Sequence, residues 1–351
     1  MTQEPESPVT KDNGTKTPAS AGIRIGLLHL VPAGRWGRWI CGLLIAVTGL
    51  IIFGVAAWMA RNDPSYLGRF FAGSTSSFFV AIVAYIVPVF HFITEKTHQA
   101  ITDLERYLPG ATRVAELHNR IERKPVRWVL RVLMIGFVFW LLQSYLLAGS
   151  WRAMWFYITD NYVSFVMSAG PLLVWLTMTL SMSALADNAR VLRDVAKTMD
   201  LDILDTASFQ PLGKIAVYST LVILGAQALL PIMWINGPIS PWTTLPAVVV
   251  FTPLLLMTLL RPVLPLRKRL RQQKSRLVAQ AQAKLNEARQ QSPDLSDRTM
   301  ALVSYRNAIG MLPEWPFDNN AVARFIVYVV IVPLTWSGAA LIEMLINFLL
   351  E

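Results

Sequence analysis

The chain has 351 residues, 54% of them hydrophobic, and its formal net charge is +10. Charged residues are nearly absent from seven windows of about 20 residues and dense between them, which is the pattern of a polytopic helical membrane protein rather than a soluble domain. A single cysteine, Cys41, excludes an intramolecular disulfide framework and any multi-thiolate metal site within one chain.

The windows predict an all-α integral membrane protein whose organisation can be described in chain order. Residues 1–22 are rich in Pro, Ser, Thr and charge, and predict a disordered cytoplasmic tail. Residues 23–39 mix apolar side chains with arginines and tryptophans, and predict a basic segment at the membrane interface. The remaining predicted regions are a six-helix transmembrane region at 40–261 with helical cytoplasmic loops at 94–127 and 186–214, a basic cytoplasmic helical segment at 262–324, and a final transmembrane helix at 325–351.

Each of the seven predicted spans is long enough to cross a hydrocarbon core about 30 Å thick at about 1.5 Å per residue. Helices are required because backbone polar groups in lipid must be satisfied within their own segment. The predicted spans are 40–60, 70–93, 128–148, 162–185, 215–235, 244–261 and 325–348.

The distribution of charge predicts the orientation of these spans. If the N-terminus is cytoplasmic and the C-terminus is outside, all but three of the 32 Lys and Arg residues lie on the cytoplasmic side. The three exceptions are Arg61, Arg69 and Arg152. We therefore interpret the positive charge as a topological signal that also favours contact with anionic lipids at the cytoplasmic face, and not as a nucleic-acid interface.

The cytoplasmic segments show helical periodicity, and together they predict a helical cap beneath the membrane. Apolar residues recur at i, i+3 or i+4 on both sides of Pro109-Gly110, which predicts two short amphipathic helices. A similar stripe continues the fourth span as a helix to about Asp200. The apolar positions are Ile101, Leu104, Leu108, Val114, Leu117, Ile121, Val191, Leu192, Val195 and Met199.

The basic segment 262–324 carries a further apolar stripe that topology alone does not require. We expect either a protein partner or the rest of the cytoplasmic cap to dock on it. The candidate docking residues are Leu266, Leu270, Leu277, Leu302, Tyr305, Ile309 and Leu312.

His91, Glu95 and His98 form the sharpest local polar pattern. Their i, i+4, i+7 spacing places two imidazoles and a carboxylate on one helical face, which could hold a transition metal or move a proton. The alternative is a polar helix end at the headgroups, in which Glu95 pairs with Lys96 or with an arginine nearby.

Three predicted helix breaks lie near the middle of the membrane, at Gly170-Pro171, Pro253 and Pro333. Interrupted helices of transporters expose backbone groups that bind substrates or ions, so these positions define a candidate transport path. The alternative is that the prolines only kink their helices, as is common in membrane proteins.

Two classes of function follow. The first is a non-catalytic membrane scaffold, sensor or partner subunit that acts through its cytoplasmic helices, either as a homo-oligomer or with a cytoplasmic protein. The second is a channel or transporter with a path near the prolines. No catalytic motif is found and no cofactor is predicted. The positive-inside pattern, the lack of disulfides and the lack of a cleaved signal favour a bacterial inner (plasma) membrane.

Overall fold

The computed structural model describes the ranges 23–24, 30–32, 34, 36–59, 74–108, 111–160, 162–200, 203, 205, 208–234, 241–291, 297–312 and 327. Within these ranges the chain is all-helical apart from one pair of two-residue strands, which confirms the all-α class. The strands β1 (Ile23–Arg24) and β2 (Arg123–Lys124) pair antiparallel, with Ile23 opposite Lys124. This pairing ties the segment before the first helix to the start of the third predicted span.

Nine α-helices lie within the described ranges, with two short 3₁₀ turns at Glu105–Tyr107 and Leu230–Trp234. They are α1 (Gly37–Met59), α2 (Ser74–Asp103), α3 (Ala111–Glu122), α4 (Val126–Ala148), α5 (Trp151–Thr159), α6 (Tyr162–Thr198), α7 (Gln210–Gln227), α8 (Pro241–Gln291) and α9 (Asp297–Met311).

Five helical segments among the described residues are long and apolar enough to cross a membrane: Gly37–Met59, Ser76–Asp103, Val126–Leu146, Tyr162–Thr198 and Gln210–Ile232. They coincide with the first five predicted spans, so the chain is a multi-pass membrane protein. The sixth predicted span, 244–261, falls in the first part of α8, where the side chains of 241–252 lie outside the described residues. The seventh, 325–348, lies outside them except for Val327, and the total of seven stays a prediction.

The helices α1 and α4 expose large apolar side chains along most of their length. Trp39 and Leu43 of α1 are 76% and 64% exposed, and Met134 and Val138 of α4 are also exposed. Such surfaces are typical of membrane helices that face lipid. By contrast α2, α6 and α7 are about half buried along their apolar windows, so they form the centre of the bundle, and α1 and α4 lie on its periphery.

Several helices do not stop where the apolar windows end. Helix α6 has 37 residues, about 55 Å, and α2 has 30 residues, about 45 Å, against a hydrocarbon core of about 30 Å. The predicted separate helix around Ile101 is therefore wrong, since Ile101 belongs to the end of α2. Helix α8 runs without interruption for 51 residues, so it continues through the predicted boundary between 261 and 262.

Beyond the apolar windows, these helices pack around a shared core, which we call the cap cluster. It joins the end of α2, the amphipathic helix α3, the end of α6, the start of α7 and the middle of α8. The predicted helix α3 and the predicted end of α6 near Asp200 are both confirmed. The cluster is formed by Ala100, Ile101, Leu104, Leu108, Val114, Leu117, Ile121, Val191, Leu192, Val195, Ala196, Met199, Ile203, Phe209, Leu212, Ile215, Leu266 and Leu270.

The cap cluster changes the interpretation of the apolar stripe. Leu266 and Leu270 are both 0% exposed, so they cannot receive a protein partner. Leu277 and Leu312 pack against the same cluster, and Ile309 is buried. The stripe therefore docks on the chain's own cap, the alternative that the sequence allowed. Of the candidate docking residues only Tyr305 is exposed, and Leu302 is half-buried.

Close packing of α4 on α6 depends on Gly136. A Cβ atom at this position would lie 2.5 Å from the hydroxyl of Thr179 and 3.0 Å from the backbone oxygen of Trp175. The Thr179 hydroxyl donates to that same oxygen at 2.7 Å, so it cannot move away freely. The two backbones can approach this closely only without a side chain at position 136.

We expect Gly136→Ala to lower the free energy of unfolding by about 1–3 kcal/mol, because the added methyl group overpacks this contact. The matched control is Gly54→Ala in α1, where no heavy atom lies within 4 Å of the added Cβ. That variant should be neutral or slightly stabilised, since alanine is the better helix former. Melting temperatures of the purified variants in detergent measure both effects, and equal melting temperatures would contradict the close approach.

Candidate functional site: the charged end of the helix bundle

Ion pairs gather at one end of the bundle, which we call the charged end. Arg38 at the start of α1 contacts Glu95 in the second half of α2 at 3.2 Å. Lys124, just before α4, pairs with Asp187 in the second half of α6. The contacts bring the start of α1, the later part of α2, the start of α4 and the later part of α6 to the same side. This arrangement requires the successive spans to alternate in direction.

The proposed metal or proton site is not assembled as predicted. Glu95 faces Arg38, whose guanidinium also lies over the ring of Phe92 at 5.4 Å, and the side-chain amide of Gln99 lies 3.5 Å from Glu95. His98 instead contacts α3. Among the described residues, no group of three or more His, Cys, Asp or Glu side chains has the geometry to hold a metal ion. The described residues therefore give no support to the metal interpretation of His91, Glu95 and His98, which stays a prediction. Glu95 pairs with an arginine, which is the alternative given above.

His98 forms a different polar contact, between α2 and α3. Its Nε2 atom lies 3.3 Å from a carboxylate oxygen of Glu122, and its ring meets the ring of His118 edge-on, with centroids 4.7 Å apart. The planes of the two rings meet at 75°, so the imidazoles pack edge to face and are not stacked. This contact fixes α3 against α2 next to the cap cluster.

The most buried ion pair of the charged end is Lys124–Asp187. The side chain of Lys124 is 3% exposed, and its ammonium donates to Asp187 and to the backbone oxygen of Arg120 at 2.7 Å. Burial lowers the pKa of Lys124 below its ordinary value, and the hydrogen bond and charge of Asp187 oppose that shift. A buried pair of this kind selects one arrangement of its elements more than it adds stability.

Around this pair, further cations meet carboxylates at more exposed positions. Arg190 lies 3.8 Å from Asp187, and Asp194 faces both Arg120 at 3.9 Å and Arg193 at 2.9 Å. Exposed pairs contribute little to stability individually. Their position shows that the charges of α3 and α6 lie in one layer next to the cap cluster.

Two cations of α8 serve the ends of other helices. Arg269 donates to the backbone oxygens of Ala196 and Met199, at 2.8 and 3.0 Å, where α6 ends. Lys274 donates to the backbone oxygen of Leu312 at 2.9 Å, just after α9. The last carbonyls of a helix have no partner within the helix and carry partial negative charge, so both contacts are favourable.

The prolines of the candidate transport path do not break their helices where they are described. Helix α6 is continuous through Gly170-Pro171, and α8 is continuous through Pro253, so the predicted interruptions there are wrong. Gly170 is buried next to Phe53 and Phe79, Pro171 is half-buried and Pro253 is exposed. Pro333 lies outside the described residues. Proline removes one backbone donor, and neighbouring packing can hold a long helix together across that loss.

Comparison of the chain with family models, with curated proteins and with solved structures gave no match. Function must therefore be argued from the chemistry of the charged end and of the cap. Sequence patterns could not reveal the Lys124–Asp187 pair, because its partners lie on separate elements. The one available signal was a lone Asp187 close behind an apolar window, which needs a cation nearby if it is to be buried.

We expect Asp187→Asn to lower the free energy of unfolding by about 3–5 kcal/mol, because Lys124 would keep a buried charge without a carboxylate. Lys124→Met should cost less, since Asp187 would still have Arg190 and is more exposed than Lys124. Arg193→Gln, which removes an exposed pair, is the control and should cost less than about 1 kcal/mol. Chemical denaturation in detergent measures all three, and equal losses for Asp187→Asn and Arg193→Gln would contradict the buried pairing.

The same variant should show a pH dependence with a defined sign. Loss of Asp187 removes the interactions that raise the pKa of Lys124, so that pKa falls further below its value in the unfolded chain. The unfolded state then binds more protons than the folded state, and stability rises with pH. The difference in melting temperature between the wild type and Asp187→Asn should therefore shrink between about pH 7 and about pH 9.5, below the ordinary lysine pKa of about 10.4.

Proposed function

We propose that this chain is a non-catalytic membrane component that carries a helical cap at the cytoplasmic face and acts through that cap. The observation that carries the proposal is the continuity of α2 and α6, each of which runs without interruption from its predicted span, 70–93 or 162–185, into the cap cluster. A cap built in this way is fixed to the bilayer by rigid helices. That suits a scaffold, sensor or partner subunit better than an independently folding enzyme domain.

The chemistry of the charged end also supports a structural role. Four described carboxylates each face a cation or an imidazole: Glu95 with Arg38, Glu122 with His98, Asp187 with Lys124, and Asp194 with Arg193. These contacts join pairs of helices or neighbouring positions of one helix. A catalytic constellation would instead direct several such groups at one shared point.

We place the charged end in the cytoplasm, with the N-terminus on the same side. This orientation rests on the excess of Lys and Arg in the segments that meet at the charged end. A bacterial inner membrane is the membrane that we propose, because the charge asymmetry of the loops follows the positive-inside rule.

Cysteine labelling tests this orientation, and the chain suits the method because its one native cysteine, Cys41, is buried. Asn119→Cys on α3 should react with a membrane-impermeant maleimide only after cells are permeabilised, since α3 belongs to the cap. Arg152→Cys on α5, between the outer ends of α4 and α6, should react in intact cells. Both positions are exposed. Labelling of both from one side would contradict the alternating spans, and exchanged labelling would contradict the orientation.

The surface through which the cap acts is, in this proposal, the exposed surface of α9. This helix lies outside the apolar windows, yet Met300, Tyr305 and Met311 are exposed on it, Met311 by 85%. Large exposed apolar side chains on a helix outside the membrane are typical of contact surfaces. A cytoplasmic protein or a second copy of this chain would cover them.

Photo-crosslinking from Tyr305 tests this contact. A benzophenone amino acid placed at position 305 should give a discrete adduct in intact membranes, because the side chain is 45% exposed on the proposed contact face. The matched control is the same amino acid at Asn119, which is exposed elsewhere on the cap and should give no such adduct. The absence of an adduct at 305, or identical adducts from both positions, would contradict a specific contact on α9.

A further inference from the structure

A row of cations on α8 lies along one open face of the helix. Arg267, Lys268, Arg271 and Arg276 line a groove of about 620 Å³ there, which we call the basic groove. Its length along the helix, from Leu264 to Arg276, is about 18 Å at 1.5 Å per residue. Lys268, Arg271 and Arg276 are exposed, so their charge is available to a ligand.

Three cations of the groove, Lys268, Arg271 and Arg276, have different surroundings from the cations elsewhere in the cap. No Asp or Glu occurs between Arg261 and Asn286, and the first acid after this stretch is Glu287. Among the described residues, no carboxylate forms an ion pair with Lys268, Arg271 or Arg276, whereas Arg38, Arg120, Lys124 and Arg190 each lie near one. Like charges three or four residues apart on a helix repel one another, so a bound anion would stabilise this face.

Two further cations of the same stretch, Arg269 and Lys274, have different contacts from those of the groove. Arg269 and Lys274 lie in the same stretch but turn away from the groove, where each donates to backbone oxygens next to a helix end. The cations of α8 therefore differ in their contacts. Arg269 and Lys274 bond to the cap, whereas Lys268, Arg271 and Arg276 are exposed to solvent.

We infer that the basic groove binds a phosphate-bearing anion, namely the headgroup of an anionic phospholipid at the membrane surface. Guanidinium groups match phosphate oxygens in a bidentate geometry, and Lys268 adds a compact charge. Gln272 and Ser275, also in the groove, supply neutral donors for further oxygens. A headgroup site in the basic groove is more specific than a general attraction of basic segments to the bilayer, because the contact is assigned to one surface of α8.

The position of the groove favours a lipid over a soluble phosphate compound. Leu264 is 48% exposed at the end of the groove that adjoins the apolar first part of α8. An acyl chain could follow that apolar surface while its phosphate reaches Arg267, Lys268 and Arg271, which begin about 9 Å along the helix from Arg261. A soluble polyphosphate would use the same cations but would gain nothing from Leu264.

The test compares two triple variants of the full chain with equal loss of charge. The groove variant is Lys268→Gln, Arg271→Gln and Arg276→Gln, at exposed positions where folding should be unaffected. The control variant is Arg123→Gln, Lys284→Gln and Arg306→Gln, at exposed positions outside the groove. Binding of short-chain phosphatidylglycerol, short-chain phosphatidylcholine and inorganic pyrophosphate is measured in detergent by native mass spectrometry and by the shift in melting temperature.

We expect the wild type and the control variant to bind phosphatidylglycerol more tightly than phosphatidylcholine. The groove variant should lose roughly a hundredfold in affinity for phosphatidylglycerol, at about fivefold for each cation near an anionic ligand. If pyrophosphate alone shows this dependence on the groove, the ligand is soluble and the assignment to a lipid is overturned. If both triple variants lose binding equally, or if neither does, the basic groove is not a site and the inference is overturned as a whole.

Discussion

Burial of the cap cluster is the interaction that fixes the other parts of the charged end relative to one another. Ile101 of α2, Val191 of α6 and Leu266 of α8 are each 0% exposed in it, although they lie beyond the apolar windows of their helices. Full burial of such a side chain contributes about 1.5–3 kcal/mol, so the cluster outweighs the ion pairs around it. The polar contacts then favour one of the helix arrangements that the cluster permits. The hydrogen bonds from Arg269 to the end of α6 are an example.

The charges are concentrated at this end because lipid excludes them from the spans. Where a charge does approach the bundle interior, it is paired, as Lys124 is with Asp187. The cations of α8 lack nearby carboxylates in the sequence. Six of them lie within ten residues, so they repel one another unless they contact other acceptors or anions. Two are directed to helix ends, and four face the basic groove. A single segment thus serves both the cohesion of the cap and its proposed contact with anionic headgroups.

Helical periodicity in the sequence was enough to predict which cap residues are buried, such as Val114 and Leu117 in α3 and Val195 in α6. Periodicity could not predict which residues of other elements pack against a given helix face. Glu95 and His98 were expected to act together, but Arg38 and Glu122 come from other elements and take them separately.

The prolines at 171 and 262 lie inside continuous helices, although proline favours a helix end. A proline such as Pro171 or Pro262 removes one backbone hydrogen bond, and a long packed helix tolerates that loss. The basic groove was visible in the sequence only as net charge, since periodicity does not show which cations of α8 turn toward the cap.

The continuity of α2 and α6 has a mechanical consequence. A domain joined to a bilayer by flexible loops can rotate independently of it, but two rigid rods that enter the same packed core transmit their tilt to that core. Membrane helices change tilt when the local thickness of the hydrocarbon changes. For α6, about 55 Å long, a change of roughly 10° displaces its far end by about 10 Å relative to the near end. A change in bilayer thickness that tilted α6 would therefore move the cap.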